Sequence, residues 1–365
     1  MVASAQTVLR DAWSRLQHVD LIGGVVSDVL RGSGLDIADV DVVIDCGSDV
    51  LDGRSISNCG FLGAMGAHHK EESRVEEDGL FGALYATTKV ACGAASVALV
   101  LAYSKPSESD VSAYYATLTE PFYQRALGLD HISTAGLMAN QYLTLTDADE
   151  DALLRIAERA WSRAAGNPWV EQVPEVAPAD VRASPLVADP LRSLQIARPR
   201  DGAVAVLLAS EQVARRVTDR PVWVTGMGSA MDSHLLSDRR PGQLEACQAA
   251  ARMAMSRAGL RDPSAFDLVE VSASSSATEA MVVEALGLAP AGHAVDCYTD
   301  DAVVDVNPSG GALPADPIMA TGLVRLHEAS ARLAGRIGDT TPTRAIAHGA
   351  GGLGMQNHCV FTLEA

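Results

Sequence analysis

The sequence predicts a soluble α/β protein made of two similar halves, and three observations lead there. Segments with helical apolar spacing alternate with continuous Val/Ala/Leu runs, the pattern of strands buried on both faces between helices. A weak internal repeat recurs: Gly34-Leu35 closes one helix, an acidic turn follows, and Val40–Val43 opens a buried strand. Gly259-Leu260, a turn through Asp262, and Phe266–Val269 do the same, one residue longer. Finally, two glycine-rich loops, Asn307–Gly311 and His348–Gly354, each follow an expected strand.

The elements follow in order. Helices are expected at Leu21–Arg31, Gly79–Cys92, Glu150–Ala165, Leu244–Ala258, Thr278–Leu286 and Ile318–Leu333, several ending at a glycine that can adopt the left-handed cap. Strands are expected at Val40–Asp45, Val97–Tyr103, Val204–Leu208, Val222–Thr225, Phe266–Val271, Val303–Asn307, Arg344–His348 and His358–Leu363. The halves divide as 1–215 and 216–365. Residues 104–199, richer in Tyr, Pro and polar side chains, read as an inserted loop region with a helix near 150–165.

Composition narrows the function. The 365 residues carry 46 acidic and 28 basic side chains, a net charge of −18. A field of that sign repels nucleic acid and anionic membranes, yet a few local arginines still suffice for a phosphorylated ligand. No apolar run is long enough to span a bilayer, and the N-terminus lacks a signal peptide's apolar centre, so the expected location is the cytoplasm. The six cysteines (Cys46, Cys59, Cys92, Cys247, Cys297 and Cys359) show neither CxxC nor zinc spacing, and read as reduced thiols with no metal site. The turn His68–Glu72 reads as solvated surface rather than as a metal site.

The run Val306-Asn307-Pro308-Ser309-Gly310-Gly311, continuing through Ala315-Asp316-Pro317 to Ala320-Thr321-Gly322, resembles the glycine-rich loop and following helix of thiolases. Arg74-Val75-Glu76, Asn167-Pro168, Pro185-Leu186, Asp201-Gly202-Ala203 and His348–Gly354 fit further landmarks of the sterol-carrier-protein type, in the same order. The resemblance covers nearly the whole chain, although the family's first strand has no evident counterpart before Leu21. It implies a five-layer α/β/α/β/α fold of two duplicated halves, oligomerisation, and acyl-CoA chemistry with the thioester as substrate and no resident cofactor.

Such chemistry needs a thiolate, a base and a polarised pocket. Where the resemblance places the nucleophile stands Gly79, which cannot attack. Cys92 lies at the wrong end of the same helix, where the dipole disfavours a thiolate, and reads as a packed helix-end cysteine. The family's G-H-P histidine corresponds to Asp316, which reads first as a helix cap ahead of Pro317 and only second as a weak base. Ser276-Ala277-Thr278-Glu279 reads as a capping box, leaving Ser272 as a hydrogen-bond donor to substrate. His348 reads either as an acid/base or as a histidine bonded between packed loops. Asn307 is expected to orient a water or carbonyl, and Gly310, Gly311, Gly351 and Gly352 to let backbone approach a ligand. Arg239 and Arg240 are weak candidates for CoA phosphates, and Tyr298 for the acid of a retro-aldol variant. The resemblance thus leaves several readings. One is a thiolase-like protein without the covalent cysteine, acting in carbon–carbon bond chemistry or acyl transfer within a complex, and another is an aldolase-type lyase on a CoA thioester. The last is a silent subunit of a homodimer or of a hetero-oligomer with a thiolase-like or zinc-ribbon/OB-fold protein.

Overall fold

The structure is a computed structural model that describes residues 1–171, 176–338 and 341–365. In its first part β1 (Ala3–Gln6), α1 (His18–Ser33), β2 (Val42–Cys46), α2 (Asp49–Asp52), α3 (Leu62–Met65), β3 (Glu71–Val75), α4 (Gly79–Ala91) and β4 (Val97–Ser104) follow one another. An excursion carries α5 (Val111–Thr117), α6 (His131–Leu145), α7 (Glu150–Ala164), α8 (Pro178–Ala183) and the hairpin β5 (Leu186–Ala188)–β6 (Leu191–Arg192). The chain returns as β7 (Gly202–Ala209) and α9 (Glu211–Val217). Then come β8 (Trp223–Met231), α10 (Glu245–Arg257), β9 (Leu268–Glu270), α11 (Ser276–Ala285), β10 (Asp305–Val306), α12 (Thr321–Leu333), β11 (Arg344–Gly351) and β12 (Asn357–Glu364).

Two five-stranded sheets have the same plan, β1-β7-β4-β2-β3 and β8-β12-β11-β9-β10. In each, the first two pairings are antiparallel and the last two parallel. Alternation along the strands then fixes the layers. Ile44, Val100, Val206 and Leu208 face inward on α4 and α12, as do Ala347 and Phe361 from the other sheet. Val43, Leu99, Leu101 and Leu207 face outward on α1. Val269, Ile346 and Val360 pack outward with α10 and α11. The result is the expected five-layer α/β/α/β/α arrangement.

The central helices determine where a site can form. Gly82 lets α4 lie against β2, since a Cβ there would stand 2.1 Å from Cys46 Sγ. α12 is buried almost all round, and its polar side chains each find at least one partner: Arg325 to Glu270 and Ser309, Glu328 to Asn167 and Arg332, His327 to Ser4, leaving Arg325 Nε and His327 Nε2 unpaired.

Several expectations need correction. A strand does precede Leu21: β1 pairs with β7, but its half-polar Ala3–Gln6 has little apolar signal. Glu71 and Glu72, read as surface turn, begin edge strand β3. β8 runs six residues past Thr225, because Gly226 and Gly228 blank the apolar pattern where α10 crosses; a Cβ on Gly228 would meet Ala250 O at 2.0 Å. The inserted region is largely helical, and Cys92 is exposed.

Candidate active site

Both central helices start at the same place, and a cleft of about 690 Å³ including its mouth opens there. The end of a parallel α/β sheet from which helix N-termini point outward is where such folds bind ligands. Four segments build the walls: Glu77 and Asp78 before α4, Asp316 to Thr321 before α12, Ser272–Ser274 after β9, and the Ala350–Met355 turn between β11 and β12. The inserted α5 and α6 close the cleft with Tyr114, Tyr115, Leu118, His131 and Thr134.

Three carboxylates line it. Asp78, 3% exposed, caps α4 by accepting from Leu80 N at 2.9 Å and reaches across to Gly322 N on α12 at 2.7 Å. Burial pushes its pKa up to about 8, against the pull of those two bonds. Burial also raises Glu77, whose carboxylate accepts from Asn357 Nδ2. Asp316 accepts from the Thr321 hydroxyl and is lifted by burial to about 6, moderated by that bond and by Arg325. Its backbone is pinned by Arg198 and Arg200. Opposite them, His131 stacks on Tyr115 with ring centroids 4.3 Å apart, and its buried Nδ1 has no partner. Burial keeps that imidazole neutral by lowering its pKa. The Ser272 hydroxyl is likewise buried, unpartnered and on the cleft wall.

Asp316 is therefore a cleft residue bonded to Thr321, and not the backbone cap expected of it. Ser272, Gly351 and Gly352 also line the cleft. The other site expectations are displaced. Gly79 faces the interior: a Cβ there would meet Leu323 Cβ at 2.7 Å and Ala102 Cβ at 2.8 Å. The cleft-facing residue at that helix start is Asp78, one position earlier. His348 is fully buried behind the cleft, on the face of β11 that carries Ile346, and bonds His358 through its Nε2 at 2.9 Å. Asn307, at φ 50°, spends its amide on Val271 N and Glu279, bracing β9 against α11. Tyr298 donates to the same Glu279 at 2.7 Å and lies off the cleft. Gly310 and Gly311 pack on α7 and on Asn307 rather than forming a floor. The cap of α11 is Ser275 with Thr278, one residue ahead of the box expected. Arg239 gives its donors to the carbonyls of Ser233, Leu353 and Gly354, bracing the turn. Arg240 is exposed in a groove that shares Thr134 and Gly354 with the cleft.

Tyr114, Tyr115, His131, Glu77 and Asp78 went unread in the sequence. Only Asp78 had a usable signal, an Asp directly before a helix, which favours a cap. No cysteine lines the cleft among the described residues.

Comparison with known proteins agrees with this geometry. Residues 228–364 match the family described as thiolase C-terminal domain-like. The acetyl-CoA acetyltransferase of Methanothermobacter thermautotrophicus is 31% identical over 249 residues, covering 66% of this chain and 65% of that protein. That of Methanocaldococcus jannaschii is 24% identical over 350 residues, covering 90% and 88%. Sterol carrier protein 2 of Oryctolagus cuniculus is 25% identical over 299 residues; the match spans 74% of this chain but only 53% of that protein. A solved structure, the Ltp2-ChsH2(DUF35) aldolase, shares the fold with a TM-score of 0.81 at 20% identity, covering 100% of this chain and 97% of that one. The class defined by fold and cleft is thus thiolase-like. Residues 228–364 carry the C-terminal domain of the thiolase family, and the chain is similar to acetyl-CoA acetyltransferases and sterol carrier protein 2 at modest identity.

Proposed function

We propose that this protein breaks or forms a carbon–carbon bond beside a thioester of CoA or of an acyl carrier, without a covalent acyl-thiol intermediate, as one subunit of an oligomer in the cytoplasm. One observation carries the reading: Asp316, raised to about 6, shares a cleft with the proton-bearing Asp78 and the neutral His131, where no thiol is present among the described residues. In the cleavage direction the Asp316 carboxylate takes the proton of a β-hydroxyl group. The Cα–Cβ bond breaks, the β carbon becomes a carbonyl, and the electron pair moves into the thioester as an enolate. The Ser272 hydroxyl and the N–H groups of the Ala350–Gly354 turn are the available donors to the enolate oxygen. Asp78 is the acid suited to return a proton to Cα, since it is largely protonated at neutral pH. Products are a ketone or aldehyde and a shortened acyl thioester, with no change of overall oxidation state. No helix of the described chain is long and apolar enough to cross a membrane.

The test incubates the purified chain with β-hydroxyacyl-CoA thioesters, alone and with a co-purifying zinc-ribbon/OB-fold or thiolase-like protein, and follows the released carbonyl compound. Turnover that survives Cys92→Ala and is lost in Asp316→Asn supports the reading. Turnover with a partner that is indifferent to Asp316→Asn replaces it with the silent-subunit reading, and an acyl adduct on any cysteine overturns it.

A further inference from the structure

Behind the cleft, Cys247 of α10 meets His348 and His358 of the β11–β12 hairpin in the core. One ligand atom each from Cys247, His348 and His358 lie within 4.8 Å of one another, and all three side chains are buried. His348 Nε2 stands 2.9 Å from His358 Nδ1, while the outer nitrogen of each ring, His348 Nδ1 and His358 Nε2, has no hydrogen-bond partner. Two unpartnered nitrogens in one core cluster are costly, since each has given up its bonds to water.

Proton counting explains why the pair is unsatisfactory alone. Two neutral imidazoles carry two N–H protons. One must lie between the rings, so only one outer nitrogen is protonated and the other is a bare lone pair. Neither tautomer of the pair resolves this. A metal ion between the inner nitrogens does. Both outer nitrogens then carry protons, as the outer nitrogen of a metal-bound histidine does. The buried Cys247 thiol gives its proton to solvent as it binds.

We propose that Cys247, His348 and His358 form a structural metal site for a soft closed-shell cation, Zn²⁺ or Cu⁺. The donor set of one sulfur, two imidazoles and no carboxylate is the chemistry for it. The ion fastens α10 to the hairpin whose Ala350–Met355 turn forms one cleft wall.

The test uses the full chain, purified under reducing conditions, with zinc and copper measured by plasma mass spectrometry; this separates the two cations. The protein is then stripped with chelator and titrated with Co²⁺ alone. Expected are about one zinc or copper per chain, a thiolate-to-cobalt charge-transfer band, a lower melting temperature after stripping, and loss of all three in Cys247→Ser. Less than about one-tenth equivalent of metal and no cobalt band in the wild-type chain overturns the site. A band that persists in Cys247→Ser overturns it as well. Should that variant fail to fold, the wild-type band and the chelator-induced drop decide the matter on their own.

Discussion

Asp78 and Gly322, 244 residues apart, meet through a 2.7 Å hydrogen bond that ties together the N-termini of the two central helices, one from each half of the molecule. The contact needs a glycine: a Cβ on residue 322 would lie 2.1 Å from Asp78 Oδ1 and 2.8 Å from Gly349 Cα. Gly322→Ala is expected to destabilise the protein by about 1–3 kcal/mol, the usual cost of overpacking, read from urea unfolding.

The same carboxyl gives a pH signature. In the folded chain Asp78 holds its proton to about pH 8, whereas an unfolded Asp releases it near 4. Between those values the native state binds more protons than the unfolded state, so this group's contribution to stability falls as pH rises, by up to about 1.4 kcal/mol per unit. Buried His327, held near 3, and the Met1 amine, lowered to about 5, work in the opposite sense. The clean measurement is therefore a difference. Asp78→Asn loses one acceptor and starts less stable than wild type by about 1–3 kcal/mol. From pH 5 to about pH 9 wild type is expected to lose stability relative to the variant, closing the initial gap and then reversing it, with no further change at higher pH; a difference independent of pH would show that Asp78 is ionised throughout.

Asp316 predicts the rate profile. With the base titrating at about 6, kcat/KM should rise through that pH and level off above it, on the acid limb. Asp316→Asn should lower kcat/KM by about 10²–10⁴-fold and remove the limb. Thr321→Val, which deletes the hydroxyl that favours the carboxylate, should move the limb to higher pH while leaving turnover at the plateau nearly intact.

His348 and His131 separate structure from chemistry. His348→Gln leaves His358 Nδ1 without its partner in the core and should cost about 1–3 kcal/mol of stability. Turnover per folded molecule should change less than about threefold, whereas His131→Ala, on the cleft wall, should lower it more than about tenfold. Equal losses in both would return His348 to the mechanism.

How much of this was legible depended on range. The halves, layers and most helices rest on local periodicity, which residues such as Ile44, Val100 and Leu323 display openly. β1 and β3 stayed hidden because Ala3–Gln6 and Glu71–Val75 are short, partly polar strands held by their neighbours rather than by their own pattern. The cleft was harder. His348 looked catalytic from its place before a glycine loop, but strand alternation turns it toward α10, away from the cleft. Tyr115 and His131 meet only after α5 and α6 fold back, and nothing local in either segment announces that contact. Gly79 and Asp78 differ by a single position, the first residue of α4 against its non-helical N-cap, and only the packed structure fixes which of them faces the cleft.

That one-residue difference gives the sharpest prediction. Restoring a thiol at the position indicated by the sequence, Gly79→Cys, puts its side chain between Leu323 and Ala102. The variant should lose about 1–3 kcal/mol of stability and acquire no acyl adduct from acetyl-CoA, as seen by intact-mass spectrometry. Asp78→Cys instead sets the sulfur on the cleft, at the N-termini of α4 and α12, where two backbone N–H groups, of Leu80 and Gly322, already converge. Helix N-termini lower thiol pKa values, so this cysteine should be acylated by the thioester, with a mass increase on residue 78. Retro-aldol turnover should fall at the same time, because the proton-bearing acid is gone. An adduct on Gly79→Cys, and none on Asp78→Cys, would reverse the assignment of which residue faces the substrate.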